Sequence, residues 1–305
     1  MTSFGAARDA LEGLALGDAF GERWFRRHRP ARHAIDAIRA RRTPPESPWQ
    51  WTDDTAMALA LYRVLTVHDA VHQDDLAAAF AAVYGADPAR GYGYGMHQLL
   101  PKLADRPSSW REETRGLFGG EGSLGNGAAM RVAPLGAWFC EDLDEVAEQA
   151  AFSAEVTHTH PEGVAGAVAV AVAAAIAARS RNSAAPDGAA LLNEVVERTP
   201  AGQIRDGLRT AAELAPDTEP WRAADLLGNG QRIRASDTVP FALWSAAHHI
   251  DSLADALWTT AEGLGDVDTT CAITGGTVAA RTGLAGLPAA WLERREPLPD
   301  WLDAA

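Results

Sequence analysis

The chain has 305 residues, with 27 Lys and Arg residues against 41 Asp and Glu residues, and therefore a formal net charge of −14. Hydrophobic residues make up 47% and charged residues 22%, which is the composition of a globular protein rather than a disordered one. An acidic protein is a poor general ligand for nucleic acid, because phosphate contacts require Lys and Arg. The two cysteines, Cys140 and Cys271, do not form a CxxC pair, which excludes a disulfide scaffold and a zinc ribbon.

The start of the chain and its apolar runs bear on where the protein functions. The first ten residues include Arg8 and Asp9 and no apolar stretch of the kind found in secretory signals. The longest apolar run, residues 164–178, has 15 residues, whereas a membrane-spanning helix needs about 20. We therefore expect a cytoplasmic protein that does not associate with membranes, and we expect it to be a monomer.

Helices dominate the predicted elements. Alanine is the best helix former, and its small side chain lets neighbouring helices approach closely. No run shows the alternation of β-branched residues that is typical of strands. The sequence thus predicts an all-α fold, as one domain over residues 1–305. An N-terminal helix precedes nine Ala-rich segments with helical spacing: 56–67, 75–84, 145–152, 163–181, 188–198, 204–214, 239–249, 253–264 and 271–282.

Small residues and charges mark two N-terminal features. Gly13, Gly17 and Gly21 recur at every fourth position, which favours tight helix packing, while Asp18 is expected to cap or brace the same helix. Residues 23–42 contain eight arginines and one acid, a charge of 8 − 1 = +7. This arginine-rich segment is either an exposed, solvated stretch or a basic flap near an anionic ligand.

Two short acidic segments carry the chemistry. The sequences WTDDT at 51–55 and GDVDTT at 265–270 each precede a helix-forming stretch. Helix capping explains either segment alone, but capping needs one oxygen, and adjacent carboxylates repel unless a cation lies between them. If the segments converge, their oxygens suit Mg²⁺ or Mn²⁺ rather than zinc or copper. The oxygen donors are Thr52, Asp53, Asp54, Asp266, Asp268 and Thr269.

Five motifs in matching order extend through most of the chain. They are GLALGDAFGE at 13–22, WTDDT at 51–55, GNGAAMR at 125–131, THTHP at 157–161 and GDVDT at 265–269. With these motifs the chain resembles the ADP-ribosylglycohydrolases of the dinitrogenase reductase-activating glycohydrolase type. The resemblance implies a compact single-domain orthogonal helical bundle with a binuclear metal site in a cleft.

The resemblance also implies an activity and a ligand set. The expected reaction is metal-dependent hydrolysis of the C1″ glycosidic bond of ADP-ribose attached to an acceptor. The acceptor is an ADP-ribosylated protein or a small ADP-ribose derivative, and arginine, serine, nucleic-acid and free forms remain open. The cofactors are two divalent cations, Mg²⁺ or Mn²⁺. The implied metal ligands are the six oxygen donors Thr52, Asp53, Asp54, Asp266, Asp268 and Thr269.

Further site residues follow from the same motifs. The glycine-rich residues 122–127 form either a plain turn or, as the resemblance implies, a loop that binds the diphosphate. His158 is the expected substrate contact, with His160 as the alternative. The expected substrate-binding residues are Gly122, Ser123, Leu124, Gly125, Asn126, Gly127 and His158.

Catalytic candidates are Glu22, which the family pattern places slightly further along the chain, and otherwise Asp53 and Asp54. Arg131 is expected to be structural, paired with a carboxylate. Two other functions stay open, a non-catalytic ADP-ribose-binding relative and a metal-dependent phosphohydrolase on the same scaffold.

Overall fold

The computed structural model describes residues 3–302, and these residues form sixteen α-helices, four short 3₁₀ helices and no β-strand. The α-helices are α1 (Ser3–Glu22), α2 (Ala31–Arg39), α3 (Asp53–His68), α4 (Gln73–Ala86), α5 (Tyr94–Asp105), α6 (Trp110–Gly116), α7 (Ala133–Trp138), α8 (Leu143–Glu155), α9 (Pro161–Arg179), α10 (Gly188–Arg198), α11 (Gln203–Glu213), α12 (Pro220–Leu227), α13 (Ala235–His248), α14 (Leu253–Glu262), α15 (Val267–Thr282) and α16 (Ala289–Arg294).

The all-α prediction is confirmed, and each of the nine expected segments is helical within a few residues of its expected ends. The helices that the sequence analysis did not find are α2, α5, α6, α7, α12 and α16. These helices have 6 to 12 residues; α5, α7 and α12 contain a proline, and α2 and α16 have one at the N-cap. Tertiary packing rather than local propensity stabilises such short helices. The expected domain, 1–305, extends beyond the described residues at both ends.

Helices α1 and α15 pack with their backbones in direct contact. A Cβ atom added at Gly17 would lie 2.0 Å from the carbonyl oxygen of Cys271, and one added at Gly21 would lie 2.3 Å from that of Val267. The same holds for Gly13, where the distance to the Gly275 carbonyl oxygen would be 2.6 Å. Any side chain at these positions would separate the helices. The predicted close packing is therefore confirmed, and it places the C-terminal end of α1 beside the first turn of α15.

Helix α9 lies in the centre of the protein. With 19 residues, the helix is long and apolar enough to cross a membrane, but 83% of its most apolar 18-residue window is buried inside the protein. At its middle the backbone touches α7, because a Cβ atom at Gly136 would lie 2.0 Å from the Ala171 carbonyl oxygen. Burial among other helices thus accounts for the apolar composition of α9.

A cluster of aromatic rings supports the end of α1. Phe20 packs against Trp24, Trp49, Trp258 and Trp291, with ring centroids between 4.7 and 6.0 Å apart. The rings come from α1, α14, α16 and the loops that follow α1 and α2. Because this cluster is buried, it holds in place the helix end on which several site residues lie.

Replacement of Gly17 by alanine should destabilise the protein, since the new methyl group would collide with backbone rather than with a movable side chain. We expect a loss of roughly 1–3 kcal/mol in the free energy of unfolding. The matched control is Gly5→Ala in the same helix, where a Cβ meets nothing within 4 Å and should be neutral or stabilising. Chemical denaturation of both variants tests this, and equal stabilities would contradict the close contact.

Candidate metal centre and substrate pocket

The two acidic segments lie side by side. The Thr269 hydroxyl at the start of α15 donates a hydrogen bond of 3.4 Å to Asp54 Oδ1 at the start of α3, across 215 positions of sequence. Asp54 is 2% exposed and Asp53 is 8% exposed, so both carboxylates lie below the surface. The convergence on which the metal-site prediction depends is therefore present.

Asp18 adds a fifth carboxylate to this cluster. Its Oδ2 atom accepts hydrogen bonds from the backbone N–H of Thr52 at 2.8 Å and from the N–H and hydroxyl of Thr55 at 3.1 and 2.5 Å. Asp18 does not cap its own helix; of the two expected roles, it has the bracing one, because these bonds join α1 to the start of α3. Asp18 thereby ties α1 to the segment that carries Asp53 and Asp54.

The carboxylates of this acidic cluster are held in conditions that disfavour their charge. Burial raises the pKa of Asp18 to about 6. Burial, together with the negative charge of Asp18, raises the pKa of Asp53 to about 8. Burial and the neighbouring carboxylates raise the pKa of Asp54 and of Asp268 well above the usual range. Burial likewise raises the pKa of Asp266.

A hard divalent cation fits this donor set. Asp54 Oδ2 and Asp18 Oδ1 are buried and have no hydrogen-bond partner among the described residues. Buried polar atoms are normally paired, so these two oxygens are free to accept a proton or to bind a cation. Carboxylate and hydroxyl oxygens are the ligands that Mg²⁺ and Mn²⁺ prefer.

Helix capping explains only a small part of the cluster. Thr52 is the N-cap of α3 and accepts a 3.5 Å bond from the Asp54 N–H. Asp266 occupies the N-cap position of α15 but makes no capping bond with its side chain. Its Oδ2 instead accepts a 2.7 Å bond from the side-chain amide of Asn126. Most of the oxygens in the two segments are therefore not required for the helix ends.

The glycine-rich loop is joined to the acidic cluster through Asn126. Besides its bond to Asp266, the Asn126 amide donates to the Thr238 hydroxyl at 3.1 Å. Gly125 and Gly127 lie against the ring of His158, because Cβ atoms at these positions would be 3.3 and 3.0 Å from the ring. The structure thus brings the expected loop into direct contact with one of the expected metal ligands.

The structure separates the two candidate histidines. His158 is 3% exposed beneath the loop, and its Nδ1 atom lies 2.8 Å from the Thr157 hydroxyl. Burial and the charge of Arg131 lower the pKa of His158 to about 3, so its ring is neutral. His160 is the N-cap of α9, and its Nδ1 accepts a 3.1 Å bond from the Glu162 N–H. The imidazole of His158 therefore packs against Gly125 and Gly127, whereas the imidazole of His160 caps α9.

Glu22 reaches the edge of the acidic cluster, but its oxygens are already paired. It is the last residue of α1, and it accepts bonds of 2.9 Å from Arg27 Nε and from His28 Nε2. Burial lowers the pKa of Arg27, but the Glu22 bond and the charges of Asp268 and Asp266 raise it overall. Arg27 thus lies over Glu22 on the side of the cluster that faces α15.

The arginine-rich segment is mostly exposed and partly paired. Most of its arginines are exposed, in agreement with a solvated stretch. Five of them nevertheless pair with the protein's own acids, so much of the local charge is neutralised. These pairs are Arg23–Glu22, Arg27–Glu22, Arg29–Glu46, Arg39–Glu262 and Arg41–Asp255.

Arg131 is structural, but the expectation of a carboxylate partner is wrong. Its guanidinium donates to the carbonyl oxygens of Gly127 and Ser153, both at 3.0 Å, and to the Thr157 hydroxyl at 2.8 Å. Burial lowers the pKa of Arg131 to about 9. Arg131 therefore connects the loop to the residue that contacts His158.

Other residues around the pocket were missed because no local pattern marks them. The backbone carbonyl of Arg90 accepts a 2.9 Å bond from the Asp53 N–H. The guanidinium of Arg90 lies 3.7 Å from the ring centroid of Trp51 and forms an ion pair with Glu296. Phe118 and Ile233 are exposed apolar residues with φ values of 54° and 55°. Such positive φ values are unusual for bulky side chains and could be a signal of function, but they are not visible in a sequence.

Comparison with known proteins agrees with this geometry. The sequence model of the ADP-ribosylglycohydrolase family matches residues 2–305. The chain belongs to this family. The ADP-ribosylhydrolase ARH3 of Bos taurus is 29% identical over 333 residues, which cover 95% of this chain and 88% of that protein. The ADP-ribosylarginine hydrolase Tri1 of Pseudomonas putida (strain GB-1) is 25% identical over 94% of this chain and 73% of its own.

A solved structure described as an ADP-ribosylglycohydrolase-related protein complex supports the fold. It aligns with a TM-score of 0.63 at 23% identity, over 96% of this chain and 93% of that chain. The helical architecture is therefore that of the family, and the family and its named relatives support ADP-ribosyl glycohydrolase activity.

The neutral state of buried His158 should be visible in the pH dependence of stability. A folded pKa of about 3, below the ordinary value of 6.5, means that the unfolded chain binds the proton more readily. Its contribution is therefore fully present above pH 6.5 and is lost as the pH falls toward 3. Between pH 7.5 and 5.5 the loss should be about 1 kcal/mol.

The measurement is the free energy of unfolding of wild type and His158→Gln over this pH range. The stability difference between the two proteins should shrink toward acid pH. His33→Gln, which alters an exposed imidazole, is the control and should track the wild type. A constant difference between His158→Gln and wild type would contradict a neutral, buried His158.

Proposed function

We propose that the protein is a divalent-metal-dependent hydrolase that cleaves the C1″ glycosidic bond between ADP-ribose and an acceptor. One observation carries the proposal, namely the convergence of five carboxylates, three of them buried and two partly exposed, beside a glycine-rich loop. The five are Asp18, Asp53, Asp54, Asp266 and Asp268. The names of the relatives, which include ADP-ribosylhydrolases and an ADP-ribosylarginine hydrolase, support the same substrate class.

The residues of the acidic cluster would hold two Mg²⁺ or Mn²⁺ ions. When bound, such ions orient hydroxyl groups, lower the pKa of water and neutralise nearby carboxylates. Asp18 remains a positioning residue, because its Oδ2 is used by the backbone and hydroxyl groups of Thr52 and Thr55. The proposed ligands are Thr52, Asp53, Asp54, Asp266, Asp268 and Thr269.

The chain's own carboxylates can serve the proton and charge requirements of glycoside hydrolysis. Cleavage at C1″ passes through a state with oxocarbenium character, and negative charge from Asp53 and Asp54 would stabilise that state. Glu22 is the proposed base, since an Oε atom freed from Arg27 and His28 could accept the proton of the attacking water. The bonds that now hold Glu22 therefore have to exchange when a substrate binds.

The loop and its neighbours would bind the rest of the substrate. Backbone N–H groups in residues 122–127 suit a diphosphate, and Asn126 ties this loop to the acidic cluster through Asp266. The exposed side chains of Phe118 and Ile233 offer apolar surface for the adenine base near this loop. His158 supports the loop from below in a neutral form, available to hydrogen-bond without adding charge.

Loss of one carboxylate from the proposed metal site should abolish turnover without unfolding the protein. Asp54→Asn and Asp268→Asn should each lower kcat by roughly 10²–10³-fold or more. Each change also removes a buried negative charge, so the metal-free variants should be at least as stable as metal-free wild type. Only for wild type should Mn²⁺ substantially increase the free energy of unfolding, by about 2.7 kcal/mol at an Mn²⁺ concentration of 100 times Kd.

Turnover and thermal unfolding, each with EDTA and with Mn²⁺, provide the measurement. Glu197→Gln removes a carboxylate from an exposed position on α10 and should behave as wild type in every assay. Wild-type activity in Asp54→Asn, or equal Mn²⁺ stabilisation of all variants, would exclude this metal site.

The role of Glu22 can be separated from binding by kinetics. Glu22→Gln keeps the size of the side chain and should reduce kcat by about 10²-fold or more, with little change in KM. Arg27→Gln removes the partner but leaves the carboxylate, so it should keep most of the turnover. Proportional losses in kcat and in affinity for ADP-ribose would assign Glu22 to binding alone.

A panel of ADP-ribosylated acceptors tests the proposed reaction directly. Arginine-, serine- and phosphate-linked ADP-ribose would be incubated with the protein, with and without Mn²⁺, and the products identified by mass spectrometry. Release of intact ADP-ribose supports the glycohydrolase and identifies the acceptor. Release of AMP or phosphate would indicate a phosphohydrolase, and ADP-ribose binding without turnover would indicate a non-catalytic relative.

A further inference from the structure

A second group of potential metal ligands lies in the turn between α3 and α4. His68 is the last residue of α3, His72 precedes α4, and Asp75 lies in the first turn of α4. His68 Nε2 is 2.7 Å from Asp75 Oδ2, and His72 Nδ1 is 3.2 Å from the same oxygen. The candidate ligand atoms of the three residues all lie within 4.8 Å of one another. One ion could therefore contact all three side chains.

The arrangement of the two imidazoles is compact. Their ring centroids are 4.9 Å apart, and the ring planes differ by 19°. Both rings face the Asp75 carboxylate, and all three residues are exposed, so the group opens to solvent. An ion could thus enter from water without any rearrangement of the core.

The backbone of the turn is held from both sides by other helices. The Val71 N–H donates to Gln149 Oε1 on α8 at 2.7 Å, and the Trp138 indole N–H of α7 donates to Asp69 Oδ1 at 2.8 Å. The residues that follow are anchored as well. Gln73 Nε2 donates to the Phe152 carbonyl at 3.0 Å, and Trp110 Nε1 donates to Asp74 Oδ1 at 2.7 Å.

This anchoring decides whether three exposed side chains can act together. Because the turn is already ordered, an ion has to order only the side chains, which lowers the entropic cost of binding. The residues that anchor this turn face α6, α7 and α8. His68, His72 and Asp75, in contrast, are all exposed to solvent. The turn is therefore a preorganised three-ligand site.

We propose that His68, His72 and Asp75 bind a divalent transition-metal ion, with Zn²⁺ as the defining member of the class. Two imidazole nitrogens and one carboxylate oxygen are Zn²⁺ ligands, and three protein ligands leave a fourth position for water. The donor set differs from that of the acidic cluster, which contains only oxygen. The two sites therefore select different ions.

The site is distant from the acidic cluster. Helix α3 has 16 residues and is about 24 Å long, with Asp53 and Asp54 at its start and His68 at its end. No ligand can be shared between the two ends. The proposed ion would join the end of α3 to the start of α4, and it would stabilise the folded protein because the three ligands meet only there.

Calorimetric titration of the untagged full chain with Zn²⁺, in excess Mg²⁺, tests the proposal. Wild type should bind one equivalent of Zn²⁺ at this site. The variant His68→Ala/His72→Ala should lose this equivalent, and Asp75→Asn should bind at least about tenfold more weakly. His33→Ala, which removes an exposed imidazole elsewhere, is the matched control and should bind as wild type.

Asp54→Asn distinguishes this site from the acidic cluster and keeps the result independent of the proposed function. That variant should retain the Zn²⁺ equivalent, and loss of it there would place the ion in the cluster and overturn the proposal. Zn²⁺ binding by His68→Ala/His72→Ala with unchanged affinity, or no Zn²⁺ binding by wild type, would overturn it as well. Circular dichroism identifies folded variants, and Co²⁺ bound in place of Zn²⁺ should give tetrahedral absorption bands in wild type, His33→Ala and Asp54→Asn but not in His68→Ala/His72→Ala.

Discussion

Mutual repulsion among buried carboxylates is the constraint around which the structure is organised. Five carboxyl groups meet where α1, α3 and α15 converge, three of them buried and two partly exposed, and burial raises the pKa of every one of them. Their negative charges repel one another and do not by themselves hold the helices together. The attraction has to come from elsewhere in the fold, and two contacts provide it. Glycines bring the backbones of α1 and α15 together, and Asp18 bonds the start of α3 to α1.

The same constraint explains why stability and function oppose each other at this site. A protein optimised only for folding would replace Asp53 or Asp54 with an apolar or amide side chain, because a buried charge without a partner is costly. Keeping two carboxylate oxygens unpaired makes sense only if a ligand pairs with them. The aromatic cluster around Phe20 and the buried helix α9 provide apolar burial that offsets the cost.

A chain of polar contacts extends from the acidic cluster through the glycine-rich loop to His158. Asp266 accepts from Asn126 in the glycine-rich loop, whose residue Gly127 accepts from buried Arg131. Arg131 in turn bonds to Thr157, the neighbour of His158. The loop is therefore held at both ends by side chains that have few alternative partners. The glycine-rich loop and the acidic cluster are thus connected through the side chain of a single asparagine, Asn126.

Much of the fold could be predicted from the sequence, since alanine content and helical spacing identified the long helices. The short helices could not, because α7 and α16 have only 6 residues each and depend on their neighbours. The candidate ligands were recognisable because several carboxylates in one short segment exceed what capping needs. The roles of Asp18, Arg90 and Arg131 could not be recognised in the sequence, because each role is defined by a bond to a residue distant in sequence.

By itself, then, the sequence determined the helical class and the close packing of glycines, and it identified the candidate oxygen donors, because all of these depend on local composition and spacing. Only the tertiary structure decided that the donors share one pocket, that His158 rather than His160 lies under the loop, and that Glu22 is bound by Arg27. It also brought His68, His72 and Asp75 together across a turn. The physical reason is the same in each case, since such contacts depend on how the helices pack and on which side-chain atoms this packing brings within hydrogen-bonding distance.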